Sequence, residues 1–327
     1  MKLFRGTVTV AVGLGLSAMS CGGGGGNAAQ QQSSAEQACS DLAAANCERL
    51  DECIQNGVVD FYGDVATCQA RQQQSCVAVL NAPGGTNTDP TVEQCAAAIS
   101  SASCEDFDLG NIPCFYAGTR AIGQPCGQAV QCVSGAYCAI VTGTNCGTCA
   151  APAQPGDSCM DASCSHGLVC VSENLQCQPL GGSGSACDTD HRCGPGLWCV
   201  PPAAGTCDVA GAAVSVPCDP TGATAPGCDI NAGLYCDART NTCLPVAYAS
   251  AGGRCGYVNG TYTLCTDASA CIAVFGQPSG ACKAAAQDGM PCSIADGPPC
   301  LPPARCVTGN PTATSGTCKF PDPAACT

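Results

Sequence analysis

The chain has 327 residues, of which 35 are Cys, 41 Gly and 23 Pro, while 11% are charged and 4% aromatic. One cysteine in about every nine residues marks a disulfide scaffold for an oxidising compartment; it argues against one large apolar core and against a reducing cytosol. With 11 basic against 25 acidic residues and a formal charge of −14, the composition offers no basic patch for nucleic acid or anionic lipid.

At the N-terminus, Lys2 and Arg5 precede the apolar run "TVTVAVGLGLSAM" at 7–19, too short to span a bilayer comfortably. Small residues Ala18 and Ser20 then lead into Cys21, in the manner of a bacterial lipobox with Ala18 in place of the usual Leu. This predicts a signal peptide at 1–20, a lipid on Cys21 and a Gly/Gln/Ser tether at 21–34. Cleavage by an ordinary signal peptidase after Ser20 is the alternative. Parity favours lipidation: 35 cysteines are odd in number, and setting Cys21 aside leaves a set that can pair completely. The expected location is a bacterial outer membrane or cell surface, with the lipid as the membrane contact.

Residues 35–118 carry eight cysteines in a helical pattern. Ser33 with Glu36 forms a capping-box signature, and Cys39, Ala43, Cys47, Leu50 and Cys53 share one helical face up to the stop at Asn56-Gly57. A second helix is predicted from Asp64 to Leu80, with Cys68, Gln72, Cys76 and Leu80 on one side. A third starts at Asp89-Pro90, read as N-cap and first helical residue, and carries Val92, Cys95 and Ile99. Seven residues separate Cys39 from Cys47 and also Cys68 from Cys76, so an antiparallel hairpin would allow the rungs 39–76 and 47–68. Cys53, Cys95, Cys104 and Cys114 would tie the third helix and its following segment to that hairpin.

After Arg120 the helical period gives way to a unit recurring about every 30 residues, usually opened by a Gly two or three places before its first Cys. The units begin at Cys126, Cys159, Cys187, Cys218, Cys255 and Cys292. Four cysteines are assigned to each: Cys126, Cys132, Cys138 and Cys146 to the first, Cys159, Cys164, Cys170 and Cys177 to the second, and Cys187, Cys193, Cys199 and Cys207 to the third. Cys149 and Cys326 are left over; they can pair with each other, although parity does not decide it. Before the third Cys of four units stand Gly135-Ala136-Tyr137, Gly167-Leu168-Val169, Gly196-Leu197-Trp198 and Gly233-Leu234-Tyr235. A glycine turn then feeds a short strand whose bulky residue is expected to cover a disulfide. Ala270 and Arg305 break this rule in the last two units. The expected fold is a small disulfide-rich multidomain chain: an N-terminal α-helical Cys domain at 35–118, then short β-hairpin and irregular disulfide-stapled repeats, two at 119–180 and four at 181–327.

The spacing from Cys126 to Cys177 resembles the Dickkopf N-terminal Cys-rich domain, with nine cysteines where that family usually has ten, since Ser165 follows Cys164. The whole layout resembles predicted Cys-rich lipoproteins of the myxobacterial type. These resemblances imply export and architecture and carry over no catalytic or binding residue.

Chemistry is sparse. Cys146-Gly-Thr-Cys149 has thioredoxin-like spacing but lies between Gly/Thr-rich and Ala/Pro-rich loops, which reads as structural. One CxxC and two isolated histidines, His166 and His191, do not make a zinc set or a nucleophile–base pair. No cofactor is expected, with calcium on Asp188, Asp190, Asp219, Asp229 and Asp237 as the remaining candidate. Asn259-Gly260-Thr261 is a glycosylation sequon. The stretch "HRCGPGLWCV" at 191–200 joins His191 to the only tryptophan, Trp198, and is the candidate exposed binding spot. The leading expectation is a non-catalytic surface lipoprotein for binding, adhesion or spacing, with an unknown protein or glycan as ligand. The alternative is a protease inhibitor presenting Arg192, Arg239, Arg254 or Arg305 on a rigid loop.

Overall fold

The computed structural model describes residues 35–326 except 111, 113, 115, 116, 161, 166, 167, 172, 173, 189–191, 203, 275, 276 and 311. The predicted signal peptide, Cys21, the tether, the Ser33 cap, His166, Asp190 and His191 lie outside the described residues.

Five helices form the N-terminal part: α1 (Ala35–Cys53), α2 (Gly57–Tyr62), α3 (Val65–Leu80), α4 (Asp89–Ser101) and α5 (Cys104–Leu109). Asn56 adopts a left-handed conformation (φ 59°) that ends α1 and lets the short α2 start at Gly57. Asp64 caps α3 by accepting a 2.7 Å bond from the Thr67 N–H. The start of α4 lies one residue earlier than the sequence implies. Thr88 is its N-cap, its N–H donating to Thr91 Oγ1 at 2.9 Å, and Asp89 opens the first turn. Two rungs, Cys39–Cys76 and Cys47–Cys68, cross-link α1 to α3. Cys53–Cys104 and Cys95–Cys114 fasten the segment after α4. The core between the rungs is small: Leu42, Val92 and Ile99 pack around the cystines. Each bridge of this kind contributes about 3 kcal/mol in the chain-entropy model, which a core this small needs.

The repeats follow one rule. In all six units the first cysteine bonds the third and the second bonds the fourth, from Cys126–Cys138 and Cys132–Cys149 through Cys292–Cys306 and Cys300–Cys318. The third and fourth cysteines face each other across an antiparallel hairpin, as Cys138 faces Cys149 and Cys199 faces Cys207, yet each bonds elsewhere. Laced in this way, a hairpin too short to be stable alone is held against its own leading strand. The residue three places before the first cysteine has positive φ in every unit: Gly123, Gly156, Gly184, Ser215, Gly252 and Gly289. Its N–H donates to the carbonyl of the fourth cysteine at 2.7–2.8 Å. Glycine suits this position because its backbone is left-handed; Ser215 takes it at φ 67°. Further upstream, Arg120, Ala153, Gly181, Gly211 and Ala286 bridge in parallel to the second cysteine, and Ala249 does the same opposite Cys265. Each unit therefore begins earlier than its first glycine.

One assignment of the sequence is corrected. Cys149, not Cys146, is the fourth cysteine of the first unit, and Cys146 bonds Cys326 across 180 positions. The pairing 149–326 does not form because Cys149 sits in register opposite Cys138, where it is committed to Cys132.

Cys146–Cys326 joins the first unit to the chain's last residues. Around it, Asn145 Nδ2 donates to Phe320 O at 3.0 Å, Arg120 Nη1 to Cys326 O at 2.7 Å, and the Thr308 N–H of the last unit to Gly143 O at 2.9 Å. Gln131 is fully buried: its Oε1 accepts from the Gly127 N–H at 2.7 Å, and its Nε2 donates to Pro83 O at 2.9 Å and Pro323 O at 3.3 Å. One amide thus ties the helical part, the first unit and the C-terminal segment together with its hydrogen-bonding capacity satisfied.

The helical part is a hub for the first, fourth, fifth and sixth units. The Thr119 N–H donates to Gly84 O, the Gln55 N–H to Asn231 O in the fourth unit, and the Ala268 N–H of the fifth unit to Val59 O. Arg71 in α3 holds the sixth unit through Asp288. At the fourth-unit contact, Asn231 Nδ2 donates to Asp108 Oδ2 at 3.3 Å. Burial, and then the nearby Asp229 carboxylate, raises the Asp108 pKa above the usual range. A carboxylate raised on folding opposes folding at neutral pH, and the opposition fades as pH falls through the folded pKa toward the unfolded value near about 3.9. Asp108→Asn is therefore expected to stabilise the hub contact at pH 7 and to flatten the gain on acidification. Hydrogen exchange at residues 104–109 and 229–234 between pH 7 and pH 4 measures this; equal pH slopes in both proteins would contradict it.

Candidate functional site

The described cysteines are all half-cystines: the 17 bridges take up 34 of the 35, leaving Cys21. Cys146 and Cys149 belong to different disulfides, so the CxxC is not a bonded pair. Groups such as Cys126, Cys132 and Cys149 bring three sulfurs within 4.8 Å. These sulfurs are bonded in pairs and present no thiolate to a metal.

Two of the acidic candidates for calcium are engaged by their own loops. Asp219 accepts from the N–H and hydroxyl of Thr221 at 2.8 and 2.6 Å on one oxygen, and from those of Thr224 at 3.0 and 2.9 Å on the other. These bonds, the Thr221 hydroxyl foremost, hold its pKa well below the carboxylate range, so the loop keeps its charge in acid. Asp237 accepts from Arg239 Nε at 3.1 Å and from the Thr240 hydroxyl at 3.1 Å, and Arg239 chiefly lowers its pKa. Asp229 accepts from the Asn231 N–H at 2.9 Å. Asp219 folds its own loop, and Asp229 faces Asp108.

The arginines divide similarly. Arg305 lies in the strand Arg305–Val307 with its Nη1 buried and without a partner, and burial lowers its pKa; it is no loop tip. Arg254 also lies in a strand and donates to Ser279 Oγ at 3.0 Å. Arg192 and Arg239 are exposed in loops.

Trp198 is half-buried, and its indole rests on the next unit. A Cβ on Gly227 would come within 2.2 Å of the indole Cζ2, and one on Gly222 would touch Cε3 at 3.6 Å. Two other bulky residues at this position behave alike. Tyr137 of the first unit accepts from the Ser163 N–H of the second at 2.9 Å, and Tyr235 of the fourth donates to Gly260 O of the fifth at 3.4 Å. In the fifth unit, where Ala270 is too small, Ile272 lies against Gly297 of the sixth, 3.1 Å from where its Cβ would be. In the first, third and fourth units the residue before the third cysteine is thus a clasp onto the following unit, and in the fifth the residue after it takes that place. Sequence reasoning missed this because the strand pattern shows which residue leaves the pleat, not what lies above it. Gly227→Ala is expected to expel the indole at a cost of about 1–3 kcal/mol. The single tryptophan reports it directly, as a red shift in emission and stronger acrylamide quenching; unchanged fluorescence would refute the packing.

The aromatic surface appears two units later. The fifth unit's hairpin, Arg254–Val258 with Thr261–Cys265, pairs Tyr257 directly with Tyr262 across an Asn259-Gly260 turn. Both turn residues have positive φ (52° and 84°), as a type I′ turn requires. The Tyr257 and Tyr262 ring centroids are 5.1 Å apart, and Tyr235 lies 6.4 and 6.2 Å from them. Tyr257 is 50% exposed, whereas Tyr235 is buried. Arg239 completes the cluster: Nε donates to Asp237 and Nη2 to Gly260 O at 3.2 Å, with the side chain still 65% exposed. Burial, then Tyr262, Tyr235 and Asp237, raise the Tyr257 pKa, so its phenol stays protonated.

Among the described residues no helix is long and apolar enough to cross a membrane. Comparison of the chain with family models, curated proteins and solved structures finds no match.

Proposed function

We propose that this chain is an exported, non-catalytic recognition protein, held at a bacterial surface by a lipid on Cys21. The observation that carries the reading is how the frame consumes reactive groups and displays loops. Thirty-four cysteines are sealed in disulfides, Asp219 and Asp237 serve their own turns, and six laced units expose short loops, four of them bonded to a helical hub. Rigid loops on a cross-linked frame lose little entropy on binding, which favours recognition. A pure spacer fits poorly, because Cys146–Cys326 returns the last residues to the first unit. That the disulfides leave Cys21 over supports the lipid anchor.

Mass spectrometry of the mature, unreduced protein tests the anchor. A diacylglyceryl mass on an N-terminal Cys21 with no free thiol is expected, and Cys21→Ser should move the protein from membrane to soluble fractions. An unmodified Cys21 in a soluble protein would remove the anchor from this reading. Binding is tested by pull-down from glycan, matrix and cell-extract pools with the oxidised protein, and an empty result from all three would count against recognition.

A further inference from the structure

The geometry points to a binding site for a neutral oligosaccharide on the Tyr257–Tyr262–Tyr235 cluster beside Arg239. The inference rests on the recognition reading above and names its site and ligand class. Aromatic residues make up 4% of this chain, yet three of its seven tyrosines meet here. Tyr235 is accounted for as the clasp between units. Tyr257 is not: it is 50% exposed at a hairpin that the Cys255–Cys271 and Cys265–Cys282 bridges already hold. A half-exposed ring in a pre-formed position is what the CH face of a pyranose stacks on.

The polar groups around the rings suit hydroxyls rather than charges. Arg239 is fixed by Asp237 and Gly260 O and remains 65% exposed, so its guanidinium presents donors at a defined place beside the rings. Asp237 neutralises it, and its own side chain is 5% exposed. The local charge is therefore balanced, while the chain as a whole carries −14. That field disfavours anionic glycans and nucleic acid, and the buried Asp237 offers nothing to a cationic ligand. An extended peptide adding as a strand is also disfavoured, because both edges of the hairpin are occupied. Ala247–Ala249 pairs with Thr261–Cys265, and Ser279–Ala284 pairs with Arg254–Val258. The donors and the exposed ring sit on hairpin tips from two successive units, so the site exists only where the fourth unit leans on the fifth.

The test is titration calorimetry of the oxidised full chain with cellohexaose, chitohexaose and mannohexaose. Hyaluronan serves as the anionic control and a proline-rich peptide as the protein-type competitor. Saturable binding of a neutral hexasaccharide is expected, weakened at least about tenfold by Tyr257→Ala and by Arg239→Ala and largely kept by Tyr257→Phe. Disulfide mapping and Trp198 emission verify that each variant is folded. Binding that Tyr257→Ala leaves unchanged would overturn the site while leaving the recognition reading intact. Binding of hyaluronan or the peptide alone would overturn the ligand class. Binding of none of these probes, with capture of another ligand in the pull-downs, would also overturn this proposal and spare the reading it rests on.

Discussion

Replacing Cys228 and Cys243 together by serine is expected to unfold the fourth unit and to leave the other five cross-linked. The bridge closes a separation of 15 positions and contributes about 3 kcal/mol in the chain-entropy model. Little within the unit itself replaces it. Its buried cluster is four cysteines and Leu234, with Val216 and Ala232 partly packed against it. The serines would also bury two hydroxyls where sulfur now sits, at about 1–3 kcal/mol for each left unpaired. The combined loss exceeds what so small a unit can hold in reserve. Hydrogen exchange should rise across 211–245 and remain low in 187–207 and 292–318. Trp198 should become solvated, because the backbone beneath its ring at Gly222 and Gly227 belongs to the unit that unfolds. Protection retained across 211–245 would show that the hub and the neighbouring clasps hold the unit without its lacing.

Arg71→Ala is the second large expected effect. The guanidinium donates Nη1 and Nη2 to the two Asp288 oxygens at 2.6 and 2.9 Å, Nε to Pro302 O at 2.9 Å and Nη2 to Leu301 O at 3.0 Å. Its face lies 4.9 Å from the centre of the Phe320 ring. Truncation strands a carboxylate and two carbonyls between the hub and the last unit. Removing one partner of a fully buried pair costs about 3–5 kcal/mol; with Asp288 37% exposed, about 2–4 kcal/mol is expected here. The Cys146–Cys326 bond still tethers the C-terminal segment, so the sixth unit stays close and redocks often. The readout is therefore faster exchange at 286–307 and along α3 rather than global unfolding. Adding Cys146→Ser and Cys326→Ser should enlarge the effect more than additively, since either contact then loses the other's help. Arg71→Lys should recover little, because one ammonium cannot match the fork. An exchange pattern identical to the parent protein would refute the hub role of Arg71.

How much of this was legible beforehand depends on the distance over which each feature is specified. The rungs Cys39–Cys76 and Cys47–Cys68 follow from helical period and equal spacing, which are local properties of 35–80. The recurring glycine three places before the first cysteine is local too, because a left-handed backbone selects glycine wherever it occurs. The choice between Cys146 and Cys149 was not legible. They are three positions apart in one hairpin, and only strand register puts Cys149 opposite Cys138. The half-burial of Trp198 was not legible for a related reason. The same Gly–bulky–Cys pattern is compatible with an open face or a covered one, and what decides is the neighbouring unit's glycines.

The sequence by itself determined the disulfide-rich class, the helical part followed by six repeated units, and the odd cysteine at position 21. These rest on composition, period and parity, which need no knowledge of what lies beside what. Only the tertiary structure decided that the first, fourth, fifth and sixth units bond the helical part, that Cys146 meets Cys326 across 180 positions, and that Tyr257 is more exposed than the half-buried Trp198. Such contacts join residues far apart in the chain. Their free energy comes from complementary surfaces meeting in space, and no short window of sequence contains both sides of such a meeting.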